Sequence, residues 1–186
     1  TRRSSDLQSG KSGSAWLIEQ NHGLKLPRGL QQDFSQHVQQ ATDSDGKEMT
    51  HHALWQLFRT RYGLQAQPAL TLLDYQSASQ QDGQLSLQAT LRHHGETRRL
   101  QGQGNGLLSA AASGLSALFR QPFMIKDYHE HTLGARSDSR SVAYIRCVFP
   151  QGESYWGVGI DNDVARASLQ ALCNALSAAD QAGGRK

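Results

Sequence analysis

The stretch FMIKDYHEH at residues 123–131, followed by YWGVGID at 155–161 and an Ala/Leu-rich segment to residue 176, decides the fold. Its pattern predicts strand, long turn, strand, turn, strand and helix. Residues 69–119 show the same order of elements. Each half ends in Gly-x-Gly before a polar turn and a helix, and the pairs beginning at Gly102 and Gly157 are 55 residues apart. We interpret this repeat as a βββα duplication and the fold class as α+β.

Composition narrows the classes of function. The 186 residues carry a formal charge of +3 and a pI near 9.0, with Lys and Arg scattered along the chain, so nucleic-acid binding gains little support. No apolar run approaches the roughly 18 residues that cross a bilayer, which argues against a membrane protein. The two cysteines, Cys147 and Cys173, lack metal-ligand spacing. We expect both to be buried reduced thiols of a cytoplasmic protein.

Changes in composition along the chain predict the domain boundaries. Residues 1–14 are rich in Ser, Gly, Lys and Arg, which predicts a flexible linker and a piece of a longer protein. Residues 15–67 predict a small helical linker subdomain, with Pro27 in the first turn of one helix and Thr50 as the N-cap of another. Residues 68–180 form the duplicated domain, divided into units at 68–120 and 121–180, and residues 181–186 are a tail.

Local patterns place the elements of the two units. Residues 84–92 alternate between apolar and polar side chains, which predicts a strand, and His93-His94-Gly95 predicts the hairpin turn after it. A third strand at 97–103 and a helix at 106–119 complete the first unit. The second unit is predicted to have strands near 123–131, 140–149 and 154–160 and a helix near 163–178.

The Gly-x-Gly turns suggest a chemistry. Each turn precedes a helix, where free backbone N–H groups and the positive end of the helix dipole favour an anion. A tight turn that merely caps the helix is the competing interpretation, and one turn alone would favour it. Lysine is absent from both turns, which excludes a Walker-type phosphate loop. A free amino acid fits better: its carboxylate would bind helix N–H groups, and Asp161 or a backbone carbonyl would accept from its ammonium.

Other candidate groups are weaker. Asp127, His129 and His131 share one strand face, but no further histidine or cysteine is in register, so we favour a polar strand face and predict no metal site. Tyr128 faces the other way and is the better candidate for a pocket wall. Residues 134–141 form a long small-residue connection, either a mobile flap over a ligand or a flexible turn. No arrangement suggests a nucleophile, so no catalytic residue is predicted.

Five ordered blocks together resemble the C-terminal part of 2-isopropylmalate synthases. The blocks are SGKSGSAW at 9–16, the segment 22–35, GNG at 104–106, DYHEH at 127–131 and WGVGI at 156–160. The resemblance covers about residues 7 to 179. It implies a linker subdomain followed by a regulatory domain of two βββα units that dimerises and holds L-leucine near the dimer interface.

The resemblance also implies a modular parent enzyme. In that family an N-terminal TIM barrel uses a divalent metal to condense acetyl-CoA with 3-methyl-2-oxobutanoate, and leucine inhibits it by feedback through the linker. This sequence lacks the barrel, so we expect no catalysis from it alone and no cofactor in it. Its expected partners are leucine, a second copy of the chain and the parent's barrel, and neither nucleic acid nor membrane.

Matching the family's motifs position by position implies a set of leucine-binding residues. They are Asn105, Gly106, Leu108, Ser109, Tyr128, Thr132, Ser139, Ser141, Ile160 and Asp161. Three features depart from the family. Trp16 stands where tyrosine is usual, Leu107 replaces a frequent proline, and Thr132, Ser139 and Ser141 are more polar than the common alanines.

Three alternatives stay open. An isoleucine-binding regulatory domain of a citramalate synthase would differ by one methyl position, worth only about 1–3 kcal/mol in an apolar pocket. A dimerisation domain without a ligand would keep the apolar stripes. A double-stranded RNA-binding domain would want lysines at the start of its last helix, where this chain has Asp161 and Asp163.

Overall fold

The computed structural model describes residues 11–134, 137 and 139–183, and they form two compact units. The first unit extends to Arg61 and the second begins at Tyr62. The predicted linker at residues 1–14 lies mostly outside the described residues, and the first helix begins within its last part, at Lys11. Three helices precede the strands: α1 (Lys11–His22), α2 (Arg28–Asp45) and α3 (His51–Tyr62).

Capping interactions fix where two helices of the first unit begin or end. The predicted N-cap Thr50 is confirmed, because its Oγ1 accepts a hydrogen bond from the Ala53 N–H at 3.1 Å. Helix α2 ends at Gly46, whose φ of 66° is left-handed and whose N–H bonds the Thr42 carbonyl. Phe34 and Phe58 are fully buried and meet edge to face at 5.1 Å between ring centroids. An aromatic pair therefore anchors this small core.

The second unit confirms the duplicated βββα arrangement. Its strands form two separate antiparallel sheets in the orders β1-β2-β3 and β4-β5-β6, each followed by one helix. The elements are β1 (Leu70–Ser79), β2 (Leu85–His93), β3 (Glu96–Gly104), α4 (Leu107–Phe119), β4 (Met124–Leu133), β5 (Arg140–Val148), β6 (Ser154–Asp161) and α5 (Val164–Gly183).

Both sheets bury the faces that carry the helices in one shared core. Leu87, Leu91 and Leu100 of the first sheet belong to the same cluster as Ile145 of the second. Leu115 of α4 and Leu172 of α5 join them at 2% and 0% exposure. The two repeats are therefore halves of one hydrophobic core, since neither buries its apolar face alone.

The two sheets differ on their other faces. In the first sheet that face is polar and open to solvent, with Gln88, Arg99 and Gln101 exposed. In the second sheet Tyr144 and Val158 occupy the equivalent face and are both fully buried. The first sheet therefore follows the alternating pattern of a half-exposed strand. In the second sheet β5 and β6 are buried on both sides, whereas β4 has polar and exposed positions.

Each sheet has a bulge at the same place in its first strand. The pairing shifts between Leu72 and Asp74 in β1 and between Ile125 and Asp127 in β4. The extra residue in each case leaves its backbone groups outside the ladder. In β1 the freed carbonyl of Leu73 accepts a hydrogen bond from Arg166 at 3.3 Å.

Helix α5 also bonds the edge of the first sheet through side chains. The Gln170 amide accepts from the Leu72 N–H at 2.8 Å and donates to the Leu70 carbonyl at 3.1 Å. The Tyr75 hydroxyl donates to Asp163 at 2.6 Å. We call these contacts, with Arg166 to Leu73, the α5–β1 seam. It satisfies backbone groups that an edge strand leaves unpaired and ties the second repeat to the first.

Among the described residues, none of the helices combines the length and apolar character that crossing a membrane requires.

Candidate functional site

The helices of the two repeats, α4 and α5, differ in how their N-termini are capped. Helix α4 begins after Gly106, whose extended backbone (φ −167°) carries no side chain that could cap the helix, and no side chain of the described residues does so. The Ala110 N–H bonds the Gly106 carbonyl at 2.9 Å, as the first bond within the helix. The preceding N–H groups at the start of α4 are thus the ones that a bound anion could use.

Two aspartates occupy the start of α5. The Asp161 carboxylate accepts from the Asp163 N–H, and the Asp163 carboxylate accepts from the Ala165 N–H, both at 2.9 Å. The hydrogen bond from Tyr75 is the main cause that lowers the pKa of Asp163, so this carboxyl is ionised at neutral pH. Two negative side chains already fill this helix start, and a further carboxylate would be repelled there.

The Gly-x-Gly pairs themselves have a packing role. A Cβ added at Gly102 or Gly157 would come closer than 3.0 Å to backbone atoms of α4 or α5, respectively. A Cβ at Gly104 or Gly159 would likewise come closer than 3.0 Å to backbone atoms of those helices. Because the third strand of each repeat lies directly under its helix, only glycine fits at these positions. The recurrence of the pairs thus has a structural reason that does not depend on a ligand.

Four of the predicted ligand residues share one face of the second sheet. Thr132 pairs with Ser141, and Ser141 pairs with Asp161, so these three side chains form a row across β4, β5 and β6. Tyr128 lies on the same face, four residues before Thr132 along β4. It is the face that carries α5, since the Tyr128 hydroxyl lies 2.9 Å from the Ser168 hydroxyl of that helix. The structure therefore brings this part of the predicted site together.

Tyr128 is unusually open for an aromatic side chain on a helix-covered face. It is 40% exposed, and Val164, whose carbonyl accepts from Ser168, is 47% exposed. Burial first, and then the hydrogen bond to Glu130 at 2.5 Å, raises the pKa of the Tyr128 hydroxyl. The hydroxyl therefore stays protonated and remains a hydrogen-bond donor at neutral pH.

The other predicted residues lie elsewhere. Asn105, Gly106, Leu108 and Ser109 are at the start of α4, in the repeat that contains the first sheet. Ile160 pairs with Val142 on the face opposite the Thr132 row, and Ser139 immediately precedes β5. None of the ten lines the cavity of about 140 Å³ beside His93 and Asp180. In the predicted flap, Ala135, Arg136 and Asp138 lie outside the described residues.

Sequence reasoning missed Tyr75, which occupies in β1 the position that Tyr128 occupies in β4. Each follows an aspartate just after the bulge, and the two Asp-Tyr pairs are 53 residues apart. Arg166 lies 5.8 Å above the Tyr75 ring, while the Tyr75 hydroxyl bonds Asp163. The repeated Asp-Tyr pair was the signal that could have found Tyr75.

The remaining candidates are engaged by neighbours. Asp127 accepts a hydrogen bond from Arg146, and a ring nitrogen of His131 lies 2.7 Å from the Tyr144 hydroxyl. These side chains therefore make contacts between β4 and β5. Cys147 and Cys173 are free and buried, as expected, and burial raises the pKa of each thiol to about 12. Neither thiol is thus a nucleophile at neutral pH.

Comparison with known proteins gives consistent matches. The model of the family described as the LeuA allosteric (dimerisation) domain matches residues 48–179. The chain is similar to three 2-isopropylmalate synthases. It is 46% identical over 170 residues to that of Marinomonas sp., 38% over 177 to that of Rhodospirillum rubrum and 34% over 174 to that of Thermobifida fusca.

These matches cover 90%, 94% and 94% of the chain, but only 30%, 32% and 30% of the respective relatives. The chain therefore spans about a third of the length of the curated relatives it matches.

Proposed function

Because the chain belongs to the family of the LeuA allosteric (dimerisation) domain, we propose that it is the regulatory module of a 2-isopropylmalate synthase. In this proposal it binds L-leucine and transmits feedback inhibition of leucine biosynthesis. The parent is then a cytoplasmic acyltransferase that condenses acetyl-CoA with 3-methyl-2-oxobutanoate in a metal-dependent barrel. The module alone would have no catalytic activity.

The open start of α4 is the observation that carries leucine binding. The first N–H groups of a helix carry a partial positive charge and need partners. At α5 Asp161 and Asp163 supply such partners, whereas at α4 no side chain of the described residues does. The leucine carboxylate would bind at α4, where the half-buried Leu107 and Leu108 offer an apolar surface to the isobutyl group.

The second wall of the leucine site would come from the face of the second sheet that carries Thr132, Ser141 and Asp161. Asp161 could accept from the leucine ammonium, and Thr132 and Ser141 could add hydroxyl partners. The exposed ring of Tyr128 would close the apolar side. The predicted residues lie in two separate repeats, at the start of α4 and around the second sheet, and we propose that a second copy of the chain completes the site by dimerisation.

Adding a negative charge at the start of α4 tests whether the leucine carboxylate binds there. Gly106→Asp would place a carboxylate where α5 carries Asp163, and an added Cβ at Gly106 meets nothing within 4 Å. Helix stability should be retained or rise slightly, because Asp is at least as good an N-cap as Gly. Leucine affinity, measured by titration calorimetry, should fall by more than about tenfold, since carboxylates within hydrogen-bonding reach repel each other.

Gly106→Asn is the matched control, because it caps the helix without adding charge. A smaller loss for Asn than for Asp is expected if a carboxylate ligand binds there. Equal affinity in the wild type, Gly106→Asn and Gly106→Asp would exclude this helix start as the site.

Tyr128→Ala tests the second wall, with Tyr75→Ala as the control at the equivalent position of the other repeat. Leucine affinity should fall in the first variant and stay near the wild-type value in the second. The titrations should be run with leucine, isoleucine and valine, beside sedimentation of the same samples. A preference for isoleucine would indicate a citramalate synthase parent. A dimer that binds none of the three would indicate a dimerisation domain without a ligand.

A further inference from the structure

A second cluster of polar side chains lies at the far end of the duplicated domain. His93 is the last residue of β2, His94 begins the turn to β3, and Asp180 lies near the end of α5. One ligand atom from each of the three side chains lies within 4.8 Å of the other two, which is true of no other such trio among the described residues. None of the three belongs to the proposed leucine site.

Backbone and packing contacts position the two histidines. His94 adopts a left-handed backbone with φ of 49°, next to Gly95 at 84°, which turns the chain in two residues. The His94 N–H donates to the Ala69 carbonyl at 3.2 Å, which ties the turn to the start of the first sheet. The His93 ring packs edge to face on Phe119 at 4.9 Å between centroids.

The spacing of the ligand atoms suits a small metal ion. The Asp180 Oδ2 lies 3.3 Å from His94 Nε2 and 3.9 Å from His93 Nε2. Tetrahedral Zn²⁺ with bonds of about 2.0–2.2 Å places its ligand atoms roughly 3.3–3.5 Å apart. The His94–Asp180 distance fits already, and the His93–Asp180 distance needs a shift of about half an ångström, which a side-chain rotation can supply. The ligand atoms of the two imidazoles lie within 4.8 Å of each other.

The geometry points to a divalent transition-metal site, of the Zn²⁺ class, formed by His93, His94 and Asp180. Two imidazoles and one carboxylate are the protein ligands typical of an open three-residue site, with water in the fourth position. His93 and Asp180 also line the cavity of about 140 Å³, so an ion and its water have room there. This site is independent of the proposed function and differs from the sequence-based prediction of no metal.

A hydrogen-bonded ion pair between His94 and Asp180 is the competing account. That account has to place both rings on one carboxylate oxygen, since the Nε2 atoms of His93 and His94 lie 3.9 Å and 3.3 Å from Asp180 Oδ2, a convergence that one shared ion explains directly. Two neighbouring imidazoles, 4.2 Å apart at their centroids, repel each other when protonated, whereas a metal ion uses both in the neutral form. Arg98 is a further charged group near the trio, and its guanidinium lies over the Phe119 ring at 6.0 Å from the centroid.

Binding at this place would link the two repeats a second time. The hairpin belongs to the first sheet and Asp180 to the helix of the second, so the ion would bridge them at the end of α5 opposite Asp163. Because the trio forms only in the folded chain, a bound ion stabilises the folded state by mass action.

The test uses the full chain, freed of metal with a chelator, and titrates it with Zn²⁺ in a calorimeter and with Co²⁺ in a spectrophotometer. We expect one ion per chain, d–d absorption of Co²⁺ bound to nitrogen and oxygen, and a rise in Tm with Zn²⁺. His93→Gln, His94→Gln and Asp180→Asn should each weaken Zn²⁺ binding by at least the 10- to 100-fold that supporting groups contribute. They should also abolish the Tm rise.

His52→Gln is the matched control, because His52 is an exposed histidine on α3 outside the trio. It should leave affinity, stoichiometry and the Tm rise unchanged. Equal Zn²⁺ affinity in the wild type and in His93→Gln would overturn the proposal in favour of the ion pair. A thiolate-to-Co²⁺ charge-transfer band would also overturn it, since it would place the ion on a cysteine.

Discussion

The two βββα repeats of this domain have the same topology, but they differ in the burial of their sheets and in the capping of their helices. The first repeat has an open polar sheet face and a 13-residue helix whose start is uncapped. The second repeat has two strands, β5 and β6, that are buried on both faces, and a 20-residue helix whose start is filled by two aspartates. The comparison shows that both repeats contribute buried residues to one core, while only the first leaves the start of its helix without a side-chain cap among the described residues.

Helix α5 stabilises the first repeat as well as its own. Through the α5–β1 seam it bonds the edge of the first sheet as well as packing on its own. Helix α4 is confined to its own sheet by the close approach at Gly102 and Gly104. The second helix therefore serves both repeats, and four substitutions measure how unequal the repeats are.

Leu172→Ala should have the largest effect. Leu172 on α5 is fully buried in the shared core, and truncating such a side chain typically lowers the free energy of unfolding by about 2–5 kcal/mol. Leu118→Ala on the shorter helix removes a half-buried side chain and should lower it clearly less. Urea unfolding followed by circular dichroism compares the two, and equal losses would break the contrast between the helices.

Gly157→Ala should follow. The added methyl would meet the backbone of α5 at closer than 3.0 Å, and backbone cannot move aside as a flexible side chain could. Overpacking of this kind lowers the free energy of unfolding by about 1–3 kcal/mol or more. Gly183→Ala on α5 is the control, because its added methyl meets nothing within 4 Å. Thermal unfolding compares the two variants, and the control should be neutral. A neutral Gly157→Ala would show that the helix can lift from its strand.

Gln170→Ala tests the α5–β1 seam. The change leaves the Leu72 N–H and the Leu70 carbonyl without their partner, which should lower the free energy of unfolding by about 1–2 kcal/mol. Hydrogen exchange should quicken in β1 before β5, because the amide bonds two backbone groups of β1 and, among the described residues, none of β5. The exposed Gln181→Ala is the control. If β1 keeps its protection in Gln170→Ala, the seam is not what holds the first sheet.

Tyr75→Phe should have the smallest effect, under about 1 kcal/mol, because its hydrogen bond to Asp163 is exposed. That bond lowers the pKa of Asp163 and raises the pKa of Tyr75. Its contribution is therefore lost as pH falls through the lowered Asp163 pKa and as pH rises through the raised Tyr75 pKa. NMR titration of the Asp163 carboxyl should give a higher pKa in Tyr75→Phe, and an unchanged pKa would contradict the assignment.

Much of the fold could be predicted because the signals are local. The period-2 run at 84–92 became β2, the Thr50 cap was found at its place, and the helices began within a few residues of the predicted starts. Side-chain alternation also placed Tyr128 on the face opposite His129 and His131. Each of these features depends on residues close in sequence, whose spacing fixes which side of an element they occupy.

The candidate site was harder to predict. The glycine pairs were interpreted as ligand turns, but they also permit close packing of helix on strand, which no local pattern distinguishes. The bulges at Leu73 and Lys126 left no recognisable mark, and the capping state of the two helix starts depends on which side chains fold back onto them.

The sequence by itself determined the duplication, the α+β class, the order of the elements and the apolar stripe of each helix, since these follow from periodicity between near neighbours. Only the tertiary structure decided which helix serves both sheets, which helix start is open, and that His93 and His94 meet Asp180. Gln170 bonds a residue 100 positions away, and His94 one 86 positions away. Contacts over such separations arise from the packing of whole elements around one core, and packing leaves no periodic signal in the chain.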